Sequence, residues 1–159
     1  MTLKSTLAQE GISYALGASK LSIGLDDPLV IRLYIVNHTD ASKIRRRGFA
    51  VNNSSLGSQI LIRDHNRVVF RSNTHAAKIN SAYNHELPIV IPGNAEVEIA
   101  EWDIMEMIFE TAEADEFGDH QMNLLKNIIF PGHYTIEWND GEMIDHLPGE
   151  SNKISIIVS

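Results

Sequence analysis

Hydrophobic and polar positions alternate in short runs along most of this chain, and turn residues separate the runs. In PLVIRLYIVNHTD, Ile31, Leu33 and Ile35 fall on one side of an extended strand, with Arg32 and Tyr34 on the other. QILIRDHNRVVFRS reads as a hairpin in which Ile60 and Ile62 lead to a turn around His65-Asn66 and then to Val68 and Phe70. Asn tolerates the positive φ that such tight turns need. In LPIVIPGNAEVEIAEW, Ile89 and Ile91 lead to Pro92-Gly93, which suit the two central positions of a type II turn, before Val97 and Ile99 resume the alternation. HYTIEWNDGEMI places Tyr134, Ile136 and Trp138 on one face and ends in Asp140-Gly141, a hairpin signal. KISIIVS closes the chain with Ile154, Ile156 and Val158 facing inward. Short strands at this spacing, without an internal repeat or a linker, predict one antiparallel β-sandwich over residues 1–159. Trp102 and Trp138 occupy inward positions of their strands.

Residues 102–128 break the pattern. At about 100° per residue, Ile104, Met105, Ile108, Phe109 and Ala112 share one face, and Asp103, Glu106, Glu110 and Glu113 cluster on the other. That period predicts a helix over 103–114, docked on the sandwich by its apolar face. Gly118 suits a helix stop, and Asp119 could cap a shorter second helix holding Met122, Leu125 and Ile129; LLKNIIF reads equally well as a strand. The expected fold is thus an all-β antiparallel sandwich with a short helical insertion at about 102–128.

Charge sharpens the interest of that insertion. The 159 residues carry a net charge of −8, divided into +6 over 1–78 and −14 over 79–159. Between Glu101 and His120 there are eight acids and no Lys or Arg. Acids without i to i+4 cationic partners repel one another and add nothing to a free helix. Asp103, Glu106, Glu110, Glu113, Asp115 and Glu116 are therefore the candidate partner-binding residues, facing a protein with a basic surface. The one basic run, Lys43 and Arg45 to Arg47, joined by Arg63, Arg67 and Arg71, reads as a solvated loop or an internal partner for these acids. A nucleic-acid interface would need a far more basic chain.

Other chemistries find little in the sequence. With no cysteine, disulfides and thiolate zinc sites are excluded. No G-x-S-x-G occurs, and the seven histidines form no H-x-H or H-E-x-x-H pair, so neither a catalytic residue nor a metal or cofactor site is expected. EADEFGDH lacks the ligand spacing and closing Glu of an EF-hand loop. No run is long enough to span a membrane, and no leader-like apolar stretch opens the chain, so a cytoplasmic protein without membrane contact is expected.

The order of IVNHTD, the QILIRDHNRVVFRS hairpin, ELPIVIPGN, EIAEWD, PGHYTIEW and the terminal ISIIV resembles the immunoglobulin-like intracellular proteinase inhibitors of bacteria, over roughly residues 28–159 apart from the acidic segment. Gly132-x-Tyr134 looks like a tyrosine corner, in which a phenol ties the start of a strand to nearby backbone. The resemblance implies an inhibitor or immunity-type protein that binds and blocks a partner enzyme; no inhibitory residue carries over. The other functions in view are an accessory domain of a larger assembly, contacting through a sheet edge, and a small-ligand or carbohydrate-binding domain.

Overall fold

A computed structural model describes residues 11–46, 56–73, 88–144 and 147–159, with side chains for all of these except 46, 140–144 and 147–150. Thirteen strands are described: β1 Ile12–Ala18, β2 Ser22–Ile23, β3 Val30–Asn37, β4 Lys43–Arg46, β5 Ile60–Asp64, β6 Arg67–Ser72, β7 Pro88–Ile91, β8 Glu96–Asp103, β9 Ile108–Thr111, β10 Met122–Leu124, β11 Gly132–Ile144, β12 Leu147–Glu150 and β13 Ile154–Val158. A 3-10 turn, Ile104–Glu106, and a single helical turn, α1 Leu125–Ile128, lie between β8 and β11.

The fold is an all-β sandwich. One sheet runs β1-β3-β8, the other β10-β9-β6-β5-β11-β13-β2, and β4 pairs with β7 separately. This is the strand layout of an immunoglobulin-like domain, with two faces closed over one core. Ile31, Leu33 and Ile35 from β3, Ile60 and Ile62 from β5, and Ile136 and Trp138 from β11 are all fully buried. Tyr14 meets Trp138 between the sheets at a ring distance of 5.0 Å, and the indole N–H donates to Leu56 O at 2.9 Å. Both tryptophans are in the core, Trp138 by the alternation of its strand and Trp102 by a break in it.

Two details explain how that alternation is used. Strict period two would carry Val97 and Ile99 inward and then turn Glu101 in and Trp102 out. A bulge opposite Leu33–Tyr34 makes Ile99 and Ala100 consecutive buried residues, so Trp102 is buried and Glu101 exposed. At the β5–β6 turn, His65 and Asn66 have φ of 48° and 69°, the paired positive values of a tight hairpin.

Three local expectations are corrected. The turn after β7 is centred one residue later than expected: Ala95 N donates to Pro92 O, so Gly93 and Asn94 are central and Asn94 carries the positive φ of 54°. Gly93 is needed for close approach instead, since a Cβ there would sit 2.2 Å from Asp40 O. Asp140-Gly141 does not turn the chain. β11 runs through it to Ile144 with a shift of register against β12 between Asp140 and Ile144.

The third correction is the largest. Residues 103–114 are not a helix. Only Ile104–Glu106 coil, and β9 follows, pairing with β6 through Phe70↔Thr111, Arg71↔Glu110 and Ser72↔Phe109. β9 then turns into β10 as a hairpin that extends the large sheet. Helix would have left the β6 edge unpaired and stacked four carboxylates on one face; the strand pairs the edge and spreads them out. The apolar residues serve both periods, because Ile104 and Met105 are buried by the 3-10 turn and Phe109 by the strand. The second expected helix shrinks to α1, which buries Leu125 and Ile128.

Candidate interaction surface at one end of the sandwich

Loss of the helix redistributes the six candidate acids. Asp103 caps the 3-10 turn, its Oδ1 accepting from Met105 N at 3.2 Å and Leu29 N at 3.1 Å. Glu106 pairs with Lys126 Nζ at 2.7 Å, and this hydrogen bond to a carboxylate raises the lysine above its ordinary pKa. Glu110 accepts from Asn73 Nδ2 at 3.3 Å and stands opposite Arg71 in the ladder. Glu113 pairs with Arg67 Nη1 at 3.2 Å, an exposed contact worth little in itself. Asp115 is a loop organiser: Oδ1 accepts from Phe117 N and Asp119 N, both at 2.9 Å, while its backbone bonds to Asp119 O and Gly118 N. Glu116 is exposed on the same loop. Asp103, Glu106 and Glu110 thus hold parts of the chain together, whereas Glu113, Asp115 and Glu116 gather on the β9–β10 connection.

The basic residues are dispersed too. Arg45 is buried and donates to Ile44 O, Arg63 pairs with buried Glu137, and Arg32 bridges Glu98 and Glu101, which raise its pKa; Arg47 lies outside the described residues. Among the described side chains, the cations paired with the candidate acids are Arg67 and Lys126.

Strand register brings the β9–β10 connection beside other loops. β5 ends, β6 begins, β9 ends, β11 begins and β13 ends at one end of the large sheet, because Arg63 faces Thr135, Phe70 faces Thr111 and Gly132 faces Val158. Two large aromatics stand out there, Phe117 at 80% and Phe130 at 75% exposure. Phe117 rides on the Asp115-stapled loop, helped by the positive φ of Gly118. Phe130 is held by the tyrosine corner: the Tyr134 hydroxyl donates to Phe130 O at 2.6 Å, from a phenol whose burial raises its pKa. Between Phe130 and the hairpin base lies a cleft of about 330 Å3, floored by Val69, Phe70 and Ile128, with the Arg67–Glu113 pair at its rim. Sequence reasoning missed both phenylalanines. Phe117 interrupts an acidic stretch, and Phe130 ends LLKNIIF immediately before Pro131-Gly132, a run that reads equally as helix or strand and so assigns it no face.

Comparison with known proteins adds no family: no family model matches, and no curated protein matches either. Among solved structures, a β-glucosidase of Erythrobacter marinus is similar at 16% identity and a TM-score of 0.39, over 93% of this chain. The chain spans only 15% of that enzyme's length, and likeness at this level bears on neither activity nor mechanism.

Proposed function

We propose that this chain is a protein-binding module that blocks a partner enzyme, and that its contact surface is the end of the sandwich carrying Phe117 and Phe130. The observation that carries the reading is the pair of nearly fully exposed aromatics on anchored backbone. A Phe costs free energy in water unless a partner covers it, and an aromatic anchor on a pre-organised loop loses little entropy on binding. Glu113, Asp115, Glu116 and Asp119 flank Phe117, so the partner surface should offer a hydrophobic pocket with a basic rim. An inhibitor presents a compact protrusion of this kind to a cleft.

A sheet-edge contact, as an accessory domain would use, finds less support. β8 lies at the edge of its sheet among the described residues and projects exposed Glu96, Glu98 and Glu101. On the other edge, Asn152 engages both backbone groups of Leu16 in β1, at 2.8 Å and 3.4 Å.

The test is affinity capture from source lysate with the wild type and the Phe117→Ser variant side by side, eluted by a salt gradient. The expected result is a basic enzyme retained by the wild type only, released by salt and inactivated by added wild-type protein. Retention of the same proteins by both forms would remove the hairpin tip from the contact.

A further inference from the structure

A second cleft, of about 490 Å3, lies on the large sheet beside the β5–β6 turn, within the size range of ordinary small-ligand sites. Its walls differ in chemistry. Leu21 and Ile157, 59% and 43% exposed, form an apolar side, tied together because Ile157 N donates to Leu21 O at 2.8 Å. Arg63, His65, His133 and Ser155 are among the residues lining the rest and carry N–H and O–H groups able to donate hydrogen bonds. None of the described residues lining it is an Asp or Glu, on a chain whose net charge is −8.

Arg63 is held in place. Its Nε donates to Glu137, which is buried, and its Nη1 donates to Asn66 O at 3.0 Å. Lys153 Nζ lies 4.0 Å from the other oxygen of Glu137, so this trio keeps one net positive charge. Asp64, 3.4 Å from His65 Nε2, is outside the lining.

We propose that this cleft binds a small oxyanion that carries an apolar group, an aryl or alkyl phosphate or carboxylate. Oxyanions need several donors facing one space with no carboxylate among them. Arg63, His65, His133 and Ser155 line one cleft, and the nearest carboxylates, Glu137 and Asp64, lie outside the lining, Glu137 already paired with Arg63. The apolar group would cover Leu21 and Ile157, which accounts for their exposure beside a polar wall. Its lining shares no residue with the cleft beside Phe130, and the assignment does not depend on the role proposed for that surface.

The test is titration of the full-length chain with phenyl phosphate, benzoate, inorganic phosphate and benzyl alcohol, followed by backbone amide chemical shifts. Phenyl phosphate or benzoate should give saturable shifts at 65–66, 133–135 and 155–157, and the tighter of the two names the head group. Inorganic phosphate should bind more weakly and benzyl alcohol more weakly still. Replacing His133 and Ser155 together by Ala should weaken the aryl anion by at least about tenfold, the loss expected for a single hydrogen bond to a charged group. Leu21→Ser should weaken the aryl anion and leave inorganic phosphate unchanged. All three residues are exposed, and unchanged shifts elsewhere will show that the variants fold. No saturable shift at these positions, equal affinity for benzyl alcohol, or an affinity indifferent to the His133/Ser155 replacement would overturn the assignment.

Discussion

Tyr134 joins the fold to the surface through one hydroxyl, because its bond to Phe130 O both closes the corner and aims the neighbouring aromatic. Tyr134→Phe should cost about 1 kcal/mol or somewhat more by leaving that carbonyl unpaired, measurable by urea unfolding. The phenol also predicts a pH effect. Its pKa lies above the ordinary 10.0 because burial disfavours the phenolate, so the folded state keeps a proton that the unfolded chain releases. The associated stability is complete below pH 10 and is lost as pH rises through the folded value; the Phe variant should lose less stability over that alkaline window. Trp138, fully buried with its N–H satisfied, should cost about 3–5 kcal/mol on replacement by Ala. These residues were legible in the sequence because Gly-x-Tyr and the alternation each have one structural reading. Asn37 was not. It looks like a sequon residue, yet it is 1% exposed, donates to Ala41, Ile91 and Pro92 carbonyls and accepts from Thr39, a role set by chain segments more than 50 residues apart.

Secondary structure was readable wherever local pattern and tertiary demand agreed, as in β3, β5, β6, β11 and β13. It failed at 103–114, where the apolar residues of IMEMIF fit either period and β6 decided between them. An isolated helix of about 12 residues is marginal in water, so an unpaired strand edge outweighs its propensity. The bulge at Ile99–Ala100 was invisible for the same reason: only packing of Trp102 against the core selects the extra residue. The β9–β10 hairpin that results predicts two measurable effects. Asp115→Ala removes the acceptor for Phe117 and Asp119 amides, which should then exchange faster while global stability changes by no more than about 0.5 kcal/mol, as expected at an exposed loop. Glu106→Gln should return the Lys126 ammonium toward its ordinary titration, observed by NMR at Nζ, since the hydrogen bond that Lys126 donates to the Glu106 carboxylate is the main cause of its raised pKa.

Across the whole molecule, the acids divide by consequence, and the division changes which experiment isolates recognition. A triple change of Glu106, Glu110 and Glu113 to Gln would mix internal pairs with surface charge, because Lys126, Asn73 and Arg67 each lose a partner. Glu113 and Glu116 together are the cleaner pair, both exposed beside Phe117, and they give up only the solvent-exposed Arg67–Glu113 contact, which is worth little. If the partner has a basic rim, changing these two to Gln should slow association and flatten its salt dependence while leaving dissociation almost unchanged, since solvent-exposed charges act on encounter. Phe117→Ser should do the reverse. It leaves long-range charge intact, so association stays close to wild type, and it removes an anchor worth about 2 kcal/mol or more, so dissociation should accelerate by roughly thirtyfold. Neither variant touches the core, and both should unfold within about 0.5 kcal/mol of wild type. Surface plasmon resonance against the captured enzyme at two salt concentrations separates the two effects. A Phe117→Ser protein that dissociates as slowly as wild type would move the anchor to Phe130 or away from this end altogether.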